Sequence, residues 1–325
     1  MAAYLLKRSF AALITLFGVA TILFVMFRMM PGDPTAQVIS PALDDAAQAR
    51  LRQAFGLDRP LWEQYLVYIK NLGTMEWGRS FTSSEPVADL LSHWLVNTLL
   101  LMSAGLLFAV SLGIGLGMVM AWRRAGPLDI GATLAAMVFQ ATPPFVTGIL
   151  LLILLSYRLD LFPVAGMVTP GSPVVGLWQT VVSLDFLHHL VLPTLSVTLY
   201  YLAMPMLVMR DSMLEVLGSD YIEFARAKGL EPRVVMVRHA ARNALLAIVT
   251  VSSLILGYAI GGQIVVETVF SWPGMGKAMV DAALRLDYPV AQAAFLLLAA
   301  LVIVLNLLTD LSYGILDPRI RTADA

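Results

Sequence analysis

The 325-residue chain has no cysteine. It can form no disulfide, no thiolate nucleophile and no cysteine metal site. Charge is scarce as well, at 13% of residues against a hydrophobic share of 59%; a soluble domain carries roughly 25% charged residues. The net charge of −1 gives no bulk attraction to nucleic acid. The middles of the long apolar runs contain no Asp, Glu, Lys, Arg or His. Ion-coupled carriers place such a group there, which argues against a secondary carrier or channel. A polytopic membrane enzyme would need clustered nucleophiles, acids or metal ligands, and none is visible. The pair His188-His189 has no ligand cluster around it, so an interfacial role outweighs metal binding. Gly276-Lys277 does not complete a phosphate-binding loop. Ser271 stands where the first glycine is required, and Ala278 where Ser or Thr is. The chain should bind neither ATP nor any other cofactor, and transport energy would have to come from another chain.

What is present is a series of apolar runs of about 20 residues, the length a bilayer core requires of a helix. They fall at about residues 9–30, 94–122, 128–157, 190–209, 244–266 and 289–311. The expected fold is all-α, one membrane domain over residues 1–325 with six spans. The first run is too long for a signal peptide and reads as a retained span. Arg28 reads as a side chain snorkelling to an interface. Gly113, Gly115 and Gly117 would let a second helix approach closely. Thr142-Pro143-Pro144 interrupts the third run, where the helix should kink or unwind. Pro143 and Pro144 are then either a structural kink or a hinge on a transport path. Residues 158–189 read as a Pro- and Gly-rich loop. In the fifth run Gly257, Gly261 and Gly262 suggest close helix packing, while Gln263 and Glu267 are weaker candidates for a pore.

Residues 31–93 form the one long hydrophilic insertion. Residues 44–55 and 61–72 read as small amphipathic helices, the second carrying Trp62, Tyr65, Tyr68 and Ile69. They would cap the membrane face or receive a partner. The positive-inside rule orients the chain. Lys7, Arg8, Arg123, Arg124, six basic residues from Arg210 to Arg242, Arg319 and Arg321 share one side. The two shorter loops of the other side carry only Arg158, Lys277 and Arg285. Both termini are therefore expected in the cytoplasm.

Residues 210–243 carry the densest charge between two apolar runs. A short helix is expected inside them, with Asp220 as N-cap and Glu223 completing a capping box. Arg226 and Lys228 would sit in its last turn, where cations suit the helix dipole. Gly229 would end it in a left-handed conformation, with Leu230 folding back toward Phe224. Pro232 would open the next helix. Two turns do not persist alone in water, so this helix needs a surface to dock on. Small Ala225, Ala227 and Gly229 would let that surface approach.

The segment Glu223-Phe224-Ala225-Arg226-Ala227-Lys228-Gly229 resembles the E-A-A-x-x-x-G loop of bacterial ABC-importer permeases. Phe224 replaces the first alanine of that pattern. His239 to Arg242 replaces its usual I-x-L-P ending. The continuation from His239 to Leu245 is similar to the peptide/nickel branch. Pro31-Gly32-Asp33-Pro34, Phe55 to Trp62, Val266 to Gly276 and Leu286 to Val290 resemble the B-type subunit of peptide permeases. The resemblance runs from Pro31 to the sixth span. It implies a type I importer permease of a bacterial or archaeal inner membrane. The implied partners are a second, C-type permease, two cytoplasmic ATPases that bind ATP and magnesium, and an extracytoplasmic solute-binding protein. It implies ATPase coupling through Glu223, Phe224, Ala225, Arg226, Lys228, Gly229 and Leu230, and an outer loop after the fifth span that re-enters near the mouth. Peptides are the commonest implied substrate. Nickel complexes, glutathione, opines and oligosaccharides use similar permeases.

Overall fold

The computed structural model describes residues 2–29, 53, 58–172, 176–259 and 264–316. Thirteen helices are named here in chain order. α1 is Ala2–Met29, α2 Leu61–Gly73, α3 Val87–Trp122, α4 Pro127–Ala141 and α5 Pro144–Leu151. α6 is Leu177–Val181, α7 Leu184–Leu217, α8 Asp220–Ala227, α9 Pro232–Val234 and α10 Arg242–Ala259. α11 is Ile264–Val269, α12 Met275–Leu284 and α13 Tyr288–Leu316. Wider π-helical turns extend α5 over Leu152–Arg158 and join α9 to α10 over Val235–Ala241.

Among the described residues five helices are long and apolar enough to cross a bilayer, and α4 with the extended α5 makes a sixth if that bent pair is one span. α3 has 36 residues, about 54 Å at 1.5 Å per residue. That exceeds the roughly 30 Å of a hydrocarbon core, so it projects beyond it. Large apolar side chains such as Phe10, Leu13, Leu107 and Leu134 remain more than half exposed, as helices facing lipid require.

Backbone packing divides the chain into two compact units. The first takes in residues 1–98 and 273–308. Here the expected helix near 61–72 forms as α2, while the 44–55 expectation and the Pro31–Pro34 turn lie outside the described residues. α2 rests on α1 through Phe24, whose ring meets Tyr65 edge-on at 5.2 Å and Tyr68 at 5.5 Å. Tyr65 also shares a 2.8 Å hydrogen bond with Thr21. Burial pushes the Tyr68 phenol up to about 12. Arg28 places its guanidinium 5.4 Å from the Phe24 ring centre. Asp287 is the knot of this unit. Its carboxylate accepts from the Ser80 hydroxyl at 2.5 Å and from the Phe81 and Thr82 amides at 3.0 and 3.2 Å. Thr98 Oγ1 accepts the first amide of α12, from Met275, at 2.8 Å.

The second unit takes in residues 99–272 and 309–325. α7 is its axis. Ser183 caps it by accepting from the Phe186 amide at 3.1 Å. α7 tolerates interior Pro193 and Pro205 because neighbouring helices can pack against the interrupted backbone. α3 lies against it through glycines. A Cβ on Gly113 would come within 2.9 Å of Pro205 Cγ, and one on Gly117 within 2.5 Å of the Met206 carbonyl oxygen. Gly105 extends the stripe, meeting Val197, whereas Gly115 faces open space. The expected glycine face thus runs through Gly105, Gly113 and Gly117; Gly115 is off it by half a turn.

Between α4 and α5 the chain turns by 104°, far more than a proline kink. Thr142 is extended, as the residue before a proline prefers, and Pro144 opens α5. Ser196 of α7 holds the far side by donating to the Pro144 carbonyl at 2.7 Å. The loop expected at 158–189 is more structured than its composition suggests. Helical turns continue to Arg158, α6 forms within it, and α7 starts at Leu184. Asp185 ties the segment down by accepting the Thr169 amide and hydroxyl, both at 2.7 Å. At its other end α7 runs on to Leu217, so the first eight residues of the charged stretch continue the helix.

Candidate functional site

The charged stretch folds back on the end of α7. Gly218 and Ser219 make the turn, with amides bonded to the Glu215 and Val216 carbonyls at 3.2 and 3.0 Å. α8 begins at Asp220, one residue earlier in register than expected. Ser219, in extended backbone, occupies the N-cap position and Asp220 the first helical one. No capping box forms. The Ser219 hydroxyl donates backward to the Val216 carbonyl at 2.6 Å, and the Glu223 amide bonds to the Ser219 carbonyl at 3.3 Å. Asp220 and Glu223 instead place negative charge in the first turn, which suits the helix dipole.

The far end follows the sequence pattern. Gly229 has φ +75°, the left-handed conformation glycine adopts without strain. Its amide bonds to the Arg226 carbonyl at 2.9 Å. Pro232 then opens α9. Lys228 lies over Phe224, with the ammonium 4.5 Å from the ring centre.

Which side of α8 is buried decides what it can do. Ile222 and Ala225 point inward, into a cluster with Met209 and Met213 of α7, Val235, Ala240 and Ala241 of the π-helical turns, and Ala244 and Ile248 of α10. The small size of Ala225 therefore serves the chain's own core and not a partner's approach. Tyr221 is pinned by a 2.7 Å hydrogen bond between its hydroxyl and His239 Nδ1. The opposite side is open. Phe224 is 62% exposed and Tyr221 47%, and Glu223, Arg226, Ala227, Lys228, Gly229 and Leu230 are exposed with them. Among the described residues no ion pair joins the acids and bases of residues 212–243. The result is a two-turn helix fixed from behind and presenting an aromatic, mixed-charge face.

Of the pathway candidates, Pro143, Pro144 and Glu267 fall among the described residues. Pro143 is exposed and Pro144 half-buried at the 104° turn. Gly261, Gly262 and Gln263 lie outside the described residues. Glu267 is buried on α11, at 1% exposure. α11 packs on α5 and α7, and Gly148 of α5 makes room there for Phe270. The chain then turns through buried Trp272, which meets the Phe186 ring at 5.8 Å. Each histidine of the 188–189 pair reaches a backbone carbonyl, His188 that of Leu161 at 2.7 Å and His189 that of Asp185 at 2.9 Å. Lys277 pairs with Asp281 at 2.6 Å.

Sequence reasoning missed a polar contact within the second unit. Asp129, at the start of α4, is 3% exposed and accepts two bonds from Arg210 of α7, Nε at 2.6 Å and Nη2 at 3.0 Å. The residues stand 81 positions apart, and no local signal links them.

Helices long and apolar enough to cross a bilayer, with a short helix seated on the end of α7 and presenting an exposed face, mark a polytopic membrane protein. Residues 113–322 match the family model described as binding-protein-dependent transport system inner membrane component, and residues 1–102 match the model of its N-terminal part. The chain belongs to that family: it is a membrane-spanning permease subunit of an ABC importer. It is 40% identical over 325 residues to a putative peptide permease protein of Brucella suis biovar 1, covering 99% of both chains. It is 36% identical to the oligopeptide transport system permease protein AppB of Bacillus subtilis, over 99% of this chain and all of that one. It is 37% identical to the dipeptide transport system permease protein DppB of Escherichia coli K12, over 99% of both. Among solved structures, the inward-facing MetNI methionine ABC transporter matches with a TM-score of 0.55 at 17% identity, over 72% of this chain and 99% of that one. That likeness speaks to the fold alone.

Proposed function

We propose that this permease imports di- or oligopeptides across a bacterial or archaeal cytoplasmic membrane, and that α8 couples it to ATP hydrolysis on other chains. The relatives named for peptides align with the chain end to end, which supports the substrate class. The observation that carries the coupling reading is the division of α8 into two faces. Ile222 and Ala225 anchor it to α7 and α10, while Phe224, Tyr221 and Leu230 stay exposed. A helix seated in this way moves with the long helices behind it, so a force on its outer face reaches the spans.

In this reading two cytoplasmic ATPases bind ATP and magnesium, and one of them takes Phe224 and its neighbours in a groove. This chain is non-catalytic and holds no cofactor of its own. A second permease, of the C type, completes the pathway, and an extracytoplasmic binding protein delivers solute. Both termini and α8 face the cytoplasm, in keeping with the excess of Lys and Arg there. Pro143 and Pro144 would act as the pivot of a broken span, and Gly261, Gly262, Gln263 and Glu267 would border the pathway. The test is purification of the chain in mild detergent, followed by mass spectrometry and ATP-dependent uptake of labelled di- and tripeptides in liposomes. Co-purified ATPases and peptide uptake support the reading. Uptake of another solute with the same partners would replace the substrate class and keep the coupling.

A further inference from the structure

We propose that Asp129 and Arg210 are positioning residues for transport: they carry movement of α8 to the broken span formed by α4 and α5. The inference rests on the coupling role of α8 proposed above. Arg210 sits on α7 in the turn after Met209, and Met209 and Met213 both pack against Ile222 and Ala225 of α8. The guanidinium leaves the apolar stretch of α7 sideways and grips Asp129 with two bonds, at 2.6 and 3.0 Å. Its remaining Nη1 is held by Asp211 at 2.8 Å, which fixes the direction of the fork.

The Asp129 carboxylate has a second partner. Its Oδ2 also accepts the Ala125 amide at 2.9 Å. Ala125 is held at φ +59°, a left-handed conformation costly for a residue with a side chain. The carboxylate therefore fastens the turn between α3 and α4 as well as α4 itself. α3 ends beside the same cluster, through Ala121. One buried carboxylate thus connects the helix behind α8 to the first turn of α4, whose other end is the 104° break at Pro143. A bidentate Arg–carboxylate pair is directional and stiff, and coupling between distant sites is carried through such contiguous contacts when the elements have two arrangements. A pair placed only for stability would be replaceable by neutral side chains of similar size, because a buried ion pair is weak as a source of stability.

The test uses the chain purified with its partners in liposomes, reading uptake of a labelled tripeptide and ATP hydrolysis per complex. Wild-type uptake comes first; its absence would count against the peptide substrate proposed above and not against this pair. Asp129→Asn leaves Arg210 without its buried counter-charge and weakens the fold. The double variant Asp129→Asn/Arg210→Gln removes both charges of the pair, and Asp211, 70% exposed, is left to solvent. In the double variant, assembly and thermal stability should stay near wild type and ATP hydrolysis should persist, while uptake per hydrolysed ATP falls by about tenfold. Uptake per hydrolysed ATP equal to wild type in the double variant would overturn the proposal. So would failure of both variants to assemble, since the pair would then be holding the fold and nothing else.

Discussion

Phe224→Ala removes the most exposed large apolar side chain of α8. The ring is 62% exposed, and Lys228 is the side chain placed over it, at 4.5 Å. Truncating it should leave the fold intact, because Ile222 and Ala225 make the contacts that seat the helix. A fully covered phenylalanine buries about 200 Å², so docking would remove about 120 Å² from water. At roughly 25 cal/mol per Å² that is worth about 3 kcal/mol, or about a hundredfold in affinity for the ATPase. The figure is a ceiling, since ordering side chains on binding offsets part of it. The assay is co-purification at graded detergent stringency, with thermal unfolding of the permease alone as control. The expected outcome is ATPase loss from the complex at an unchanged melting temperature. A variant that keeps its ATPase as tightly as wild type would refute the docking face. One that melts several degrees lower would show that Phe224 belongs to the core.

The complementary change, Ile222→Ala, should act through stability. It empties a side chain with no solvent exposure and should cost about 2–5 kcal/mol, read as a lower melting temperature of the permease. Gly117→Val should abolish folded protein, because its Cβ would meet the Met206 carbonyl oxygen at 2.5 Å and Met209 Cβ at 2.7 Å. Gly115→Val, with open space around it, should express as wild type does, and membrane expression compares the two. Asp287→Ala should strip the Ser80 hydroxyl and the Phe81 and Thr82 amides of their acceptor. Each such loss costs about 1–3 kcal/mol, and hydrogen exchange at residues 81 and 82 should quicken accordingly.

The long helices were legible because a bilayer imposes length and polarity on each span by itself. α8 was legible to within one residue because its punctuation is local, with Gly229 at φ +75° and Pro232 opening the next helix. The one-residue error has a physical source. Ser219 and Asp220 are both good caps, and the Ser219 hydroxyl turned back to Val216, which no spacing rule forecasts. The inward direction of Ala225 was hidden for a related reason. An alanine suits a partner's approach and a tight core equally, and only the packing of Met209, Met213 and Ala244 around it decides. The glycines of α3 announced close packing, but their face depends on where α7 lies, so Gly105 was overlooked and Gly115 included. Asp129 with Arg210, and Asp287 with Ser80, are joined across 81 and 207 residues. Contacts at that separation come from the fold and leave no local trace.

The most direct measurement is ATP-dependent uptake of a labelled tripeptide into liposomes holding the purified complex, with wild-type chain and Phe224→Ala compared at equal permease content. The expected result is uptake by wild type that requires ATP and falls with the ATPase content of the Phe224→Ala complex. Uptake that proceeds without ATP, or a chain that purifies alone and moves solute, would contradict a permease driven through α8.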